Sequence, residues 1–286
     1  MLASILLPLA DLPQAAGAWD RAFWLAGKGG GHIQALGLIN VRSFEIPVLG
    51  TADGFMPSVV SPPMAESQAL LKELTQRARD RVNKFAAMCA LRGVSCSTDI
   101  KTGIPGEVIA HEAAAHDLVV LSRFGYERMA QPDDHSAEPL VSSVIRGSVR
   151  PVLVAGNEFP ASGALRRMIV AYDGSGHAAR ALAIAVELAG GFGIECVLAT
   201  IAPSEAAAGE VLAPAEAYLL HHGVTPVRRV AVGAKPADLL CDLVGASGSE
   251  LLVMGAYGHS PIREMLFGST TERVLSHCKA SVILLS

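Results

Sequence analysis

Three apolar segments in the first half of this 286-residue chain recur in the same order in the second, and this internal repeat constrains the fold more than any other feature. SILLPLADLPQAAGAWDRAFWLA (4–26) resembles MIVAYDGSGHAARALAIAVELA (168–189), each a strand followed by a helix. HDLVVLSRFG (116–125) resembles SELLVMGAYG (249–258), and VSSVIRGSVRPVLVAG (141–156) resembles TERVLSHCKASVILLS (271–286). Leu9 then stands opposite Asp173 and Ser122 opposite Gly255, with a longer stretch between them in the first half. That surplus falls around residues 41–92, where a Pro/Gly-rich loop leads into a long charged helix.

The strand segments are unbroken apolar runs: Ile5 to Leu7, Leu118 to Leu121, Pro151 to Val154, Met168 to Ala171, Leu251 to Met254 and Ser281 to Leu285. Strands buried on one face alternate apolar with polar residues, whereas strands covered on both faces do not. Runs of this kind between amphipathic stretches predict an α/β fold of two tandem, doubly wound parallel sheets, five strands and four crossovers in each half. By composition the boundaries fall at 1–156 for the first domain, 157–165 for a linker (NEFPASGAL) and 166–286 for the second domain.

The hydrophobic content of 51% is accommodated by such doubly covered sheets. No run approaches the roughly 20 apolar residues of a membrane-spanning helix, so no membrane association is expected. The apolar start MLASILLPLADL lacks a positively charged leader and meets Asp11 early, which reads as a buried strand rather than a signal peptide and points to the cytoplasm. Lys+Arg 23 against Asp+Glu 27 gives a net charge of −4 and no positive field to hold nucleic acid. The five cysteines, Cys89, Cys96, Cys196, Cys241 and Cys278, are scattered and never spaced CxxC, the pattern of reduced core thiols.

Chemistry concentrates where the second half's repeat ends. Gly255 and Gly258, then nine residues, then Gly268-Ser269-Thr270 run from the end of a buried strand to the start of a helix. Ser269 with Glu272 three residues on fits a capping box. A helix start flanked by glycines offers free N–H groups and the positive dipole end, a phosphate site, with Ser269 and Thr270 hydroxyls as further donors. An ordinary βα loop with turn glycines is the alternative. Asp173, closing another strand, suits a ribose hydroxyl or an adenine amino group, or else serves as a turn-former or helix cap. Ser175 reads as an N-cap rather than a nucleophile. Arg263 and His259 are within reach of phosphates or lie in a solvated loop.

The spacing G-x2-G-x9-G-[ST], with Asp173-Gly174-Ser175 after the first strand of the second half, resembles the nucleotide-binding motif of the universal stress protein family. The resemblance spans nearly the whole chain as two tandem repeats, with the full motif only in the second. It implies strand order 3-2-1-4-5 (adenine nucleotide alpha-hydrolase-like) and ATP, or AMP or ADP, across the carboxyl ends of the first and fourth strands. Ala171, Asp173 and Ile201 would surround adenine, Met254 and Gly255 would line the adenine and ribose side, and Gly258, Gly268, Ser269 and Thr270 would hold phosphates, with Mg²⁺ on a triphosphate. It also implies a regulatory stress-response ligand, an unknown protein partner, and pairing of the two repeats into an internal pseudo-dimer through their last strands, with a homodimer as a further level. No catalytic residue is expected, slow ATP hydrolysis aside. The rivals are a nucleotide-free partner-binding scaffold and an adenylating ATP-dependent enzyme of related fold, for whose phosphate loop Asp173-Gly174-Ser175-Gly176 is too short.

The first half departs from the motif. Leu9 replaces the aspartate, Ser122 the first glycine, and Glu138-Pro139-Leu140 the Gly-Ser-Thr step; only Gly125 persists. Proline removes a donor, and Glu138 with Asp133 and Asp134 repels phosphate, so this half is expected to bind no nucleotide. Gly27-Lys28-Gly29-Gly30-Gly31 follows a helix and reads as its C-cap. His221-His222 belongs to no metal-binding spacing. Trp19 and Trp24 read as core or inter-repeat packing.

Overall fold

The computed structural model describes residues 2–10, 15–41, 46–47, 59–60, 64–123, 140–156, 160, 163–233, 235–248, 250–257 and 269–286. In chain order the elements of the first half are β1 (Ser4–Pro8), α1 (Ala16–Gly29), β2 (His32–Asn40), β3 (Ile46–Pro47), β4 (Val59–Val60), α2 (Met64–Arg92), β5 (Ser95–Gly103), α3 (Pro105–Ala113), β6 (Leu118–Ser122), α4 (Leu140–Gly147) and β7 (Val152–Ala155). The second half continues with β8 (Arg167–Ala171), α5 (Gly176–Phe192), β9 (Glu195–Ala202), α6 (Glu205–His221), β10 (Val227–Val232), α7 (Pro236–Ser247), β11 (Leu251–Gly255), α8 (Ser269–His277) and β12 (Ser281–Leu285). None of the described helices is long and apolar enough to cross a membrane.

The main sheet has ten strands in the order β10-β9-β8-β11-β12-β7-β6-β1-β2-β5. Each half therefore has the expected order 3-2-1-4-5, and every neighbour within a half is parallel. The halves do not remain two sheets. β7 and β12 pair antiparallel, with Val282 opposite Val154, Ile283 opposite Leu153 and Leu284 opposite Val152, and one continuous sheet results. The surplus of the first half lies between β2 and β5, where the 29-residue α2 is much longer than the 17-residue α6 and the short β3 and β4 pair antiparallel.

Alternate side chains of the central strands enter two cores, one on each face. Ile5, Leu7, Ile283 and Leu285 join residues of α1 and α5, while Leu6, Val282 and Leu284 join residues of α3, α4, α7 and α8. This double burial is why those strands read as unbroken apolar runs. Trp19 packs edge-on to Phe85 of α2, with ring centroids 5.1 Å apart, whereas Trp24 crosses the halves to Phe192 of α5 at 5.5 Å. One tryptophan is thus core and the other inter-repeat packing. Gly30 caps α1 with φ of +64°, as its glycine run predicts. Lys28 donates to the Phe192 carbonyl at the end of α5. Burial holds the Cys89, Cys196 and Cys241 thiols up at about 12, so they remain protonated.

The turn between α8 and β12 is gripped by the first half. Arg123, directly after β6, donates to the carbonyls of Cys278 and of Ala280, the latter at 2.7 Å. Gly156, directly after β7, donates its N–H to Ser281 Oγ at 3.3 Å, and a Cβ on it would lie 2.5 Å from the Lys279 carbonyl oxygen. Arg21 of α1 donates its Nε to the same Ser281 Oγ and an Nη to the Gly17 carbonyl. Burial pushes the Arg21 guanidinium down to about 10, opposed by Asp20, which leaves it charged at neutral pH.

Truncating a buried strand residue at the junction removes transfer energy and leaves a cavity in both halves at once. Leu153→Ala, at a site 1% exposed, is expected to lower the unfolding free energy by about 2–5 kcal/mol, measured from the urea midpoint.

Candidate functional site

The order 3-2-1-4-5 reverses direction between β8 and β11, and in open α/β sheets that switch point is where a crevice opens beyond the carboxyl ends of the strands. Residues 251–253 of β11 pair in register with residues 168–170 of β8, so Ala171 and Asp173 lie at the same end of the sheet as Met254 and Gly255. Ile201 is one strand further out, on β9 beside β8. Met254 is buried, Ala171, Ile201 and Gly255 are half-buried, and Asp173 is exposed.

Local chemistry sets the turn after β8. Asp173 Oδ1 accepts the Ser175 N–H at 2.9 Å, Gly174 takes φ of +83°, and Ser175 Oγ accepts the Ala178 N–H at 3.2 Å as the N-cap of α5. Asp173 thus has the turn-forming role that was one of its two readings, and its exposure leaves the carboxylate accessible at the crevice. Ser175 is the expected cap.

The resemblance implies that Gly255 lines the adenine and ribose side; in the structure a Cβ there would lie 2.7 Å from His177 Cβ and 3.1 Å from the Ala178 nitrogen. The first turn of α5 occupies that space, so the glycine permits close helix–strand approach. The His177 ring stands beside Tyr257 with centroids 5.7 Å apart, and Arg180 approaches His177 Nδ1 at 3.4 Å.

α8 begins at Ser269, where the capping-box residues place the helix start. Ser269 is exposed and Thr270 half-buried, and both line a cleft of about 210 Å³ with Lys235, Pro236, Ala237, Asp238 and Arg273. The cleft lies between the N-terminal turns of α7 and α8, and Arg273 grips Asp238 through two contacts of 2.8 and 3.3 Å. Two helix N-termini, two hydroxyls and the cation of Lys235 make this cleft suited to an anion. In the first half the same helix pair is closed. A Cβ on Gly106 of α3 would lie 2.1 Å from Ser143 Oγ of α4, and one on Gly147 would lie 2.8 Å from Ala110 Cβ.

Three contributors were missed in the sequence. Lys235 and Arg273 carry only their charge and position as a signal. Thr271, next to the expected ligand Thr270, turns inward and donates to the Ala256 carbonyl at 2.7 Å, bolting α8 to the end of β11. Gly258, Gly268, His259 and Arg263 lie outside the described residues, as do Glu138 and Pro139 of the first half. Leu9 and Ser122, opposite Asp173 and Gly255, are buried at 0% and 1% exposure, with Leu9 in the core that α1 and α5 cover. Among the described residues no group of three His, Cys, Asp or Glu side chains is placed to hold a metal ion.

The molecule is thus a tandem α/β protein whose two halves share one topology, with a candidate anion cleft in the second. Residues 164–286 match the universal stress protein family. The universal stress protein Slr1230 of Synechocystis is 24% identical over 281 residues, covering 93% of each chain. The crystal structure of a universal stress protein from Archaeoglobus fulgidus superposes with a TM-score of 0.75 at 19% identity, over 99% of this chain and 98% of that one. A putative universal stress protein from Pseudomonas aeruginosa superposes at 0.61 and 19% identity, over 99% and 93%. The family match lies in the second half of the chain, and the likeness to the two solved structures over nearly its whole length shows the fold.

Three substitutions test the local geometry. Gly255→Ala is expected to cost about 1–3 kcal/mol because α5 must move, whereas Gly176→Ala, with nothing within 4 Å of its Cβ, should be near neutral. Thr271→Val leaves the Ala256 carbonyl without its partner and should cost about 1–3 kcal/mol in the same urea titration.

Proposed function

We propose that the second half binds an adenine nucleotide, ATP or its di- or monophosphate, as a regulatory ligand, and that the first half binds none. The observation that carries this reading is the coincidence of the G-x2-G-x9-G-[ST] spacing with a cleft at the start of α8 that Ser269, Thr270, Lys235 and Arg273 line. Phosphate oxygens meet N–H groups, hydroxyls and the Lys235 cation there. The base lies toward Ala171, Met254 and Ile201, which offer an apolar surface, and the ribose lies toward exposed Asp173, which accepts hydrogen bonds from hydroxyls. Gly258 and Gly268 complete the phosphate loop on the strength of the spacing alone.

Asp238 is engaged by Arg273, so Mg²⁺ accompanying a triphosphate would be held by phosphate oxygens and water, where it would supply positive charge to the tail. No side chain of the cleft is assigned a catalytic role, and the ligand acts by occupancy. The first half supports the asymmetry: its aspartate position is a leucine in the core and its helix pair is shut.

Calorimetric titration of the full chain with ATP, ADP, AMP and cyclic AMP, Mg²⁺ present, is expected to show one site per chain. Gly268→Glu places a carboxylate immediately before α8 and should weaken ATP binding by more than tenfold while leaving the circular dichroism spectrum unchanged. Wild-type protein with no affinity for any of the four overturns the reading in favour of a nucleotide-free scaffold.

A further inference from the structure

α8 lines the candidate nucleotide cleft with its first turn and leads at its other end into the turn 278–280 that the first half grips. It has nine residues, about 13 Å from end to end, too short to hold its own shape in water. Its position therefore follows from its anchors. At the cleft end these are Thr271 on the Ala256 carbonyl and Arg273 on Asp238. At the other end the chain leaves the helix through Cys278, whose carbonyl and that of Ala280 both accept from Arg123. The Cys278 carbonyl, at the helix C-terminus, lacks an intrahelical partner and lies at the negative end of the dipole, so the guanidinium meets it as donor and as charge, while the Ala280 carbonyl fixes the turn beyond it.

The arrangement runs in one direction only. Arg123 directly follows Ser122, so in the second half its place is taken by Ala256, which has no such group to offer α4. Among the described residues, the corresponding turn after α4 receives a hydroxyl from the second half, Ser286 Oγ on the Ser148 carbonyl at 2.8 Å. An arginine thus stands in the half without the motif and reaches to the helix that presents the motif's last residues.

We propose that Arg123 is a positioning residue for the nucleotide site of the opposite half: by holding the C-terminal end of α8 it sets the N-terminal turn, Ser269 and Thr270, at the place where phosphates are recognised. The inference rests on the nucleotide reading above. Its consequence is selective. Loss of the clamp misplaces the phosphate-binding end and leaves the strand ends around Ala171, Met254 and Ile201, where the base sits, untouched.

The test is titration of the full-length wild type, Arg123→Ala and Arg123→Lys with MgATP and, separately, with adenosine. Arg123→Ala is expected to weaken MgATP by about fivefold to tenfold and adenosine by less than about twofold; Arg123→Lys, which keeps the charge but reaches one carbonyl at a time, should restore part of the MgATP loss. Parallel losses for both ligands mean a merely structural role and overturn the proposal, as does unchanged MgATP affinity. Should Arg123→Ala not fold, Arg123→Lys alone decides: a loss for MgATP greater than for adenosine upholds the proposal, and equal affinities overturn it. A wild type that binds adenosine but gains nothing from the phosphates overturns it as well, and a wild type that binds neither overturns the nucleotide reading itself, which the variants alone would not.

Discussion

β7 and β12 are each the last strand of a parallel sheet, apolar on both faces, and alone each would present an unpaired row of backbone groups to water. Their antiparallel pairing removes both edges at once, and most other long-range features of the molecule follow from it. Two parallel sheets meeting antiparallel are related by an approximate two-fold axis. α1 and α5 are therefore neighbours at the junction, Trp24 meets Phe192, and Lys28 finds the end of α5. The same geometry brings the ends of β6 and β7 against the turn that feeds β12, and so lets Arg21, Arg123 and Gly156 act on the other half.

How much of this was legible depends on where each residue finds its partner. The central strands declared themselves because burial on both faces leaves no polar position, as in β6 and β12. The outer strands did not: β5, SCSTDIKTG, and β10, VRRVAV, face solvent at the sheet's ends and carry polar or charged residues that break any apolar run. Caps and turns made by near neighbours were readable too, as Ser175 over Ala178 and Gly30 after α1 show. Thr271, Lys235 and Arg123 were not, since each acts on residues that only the fold brings near: Thr271 lies 15 positions from its acceptor and Arg123 lies 155 from Cys278. Gly255 shows a further case: its spacing in the motif was readable, but the close approach of α5 that its missing Cβ permits was not.

The second half is built around a compromise that the first half has abandoned. Between α7 and α8 the helices stand apart over a cleft, braced by an exposed ion pair between Arg273 and Asp238. Exposed pairs contribute little stability, so this brace orients side chains more than it holds the helices together. Between α3 and α4 the glycines Gly106 and Gly147 leave room for the Ser143 and Ala110 side chains to pack against the facing helix. The same topology thus leaves a cleft between the two helices in one half and packs them side by side in the other.

The burial of Leu9 has a consequence for motion as well as for binding. Where the second half ends its first strand on an exposed carboxylate, the first half adds a fully buried leucine to its core, and regions with denser apolar packing open less often. Amide exchange should accordingly divide the continuous sheet unevenly, slower through β1 and β6 than through β8 and β11. In that sense the first half seals with its own side chain the strand end that the second half leaves open to water.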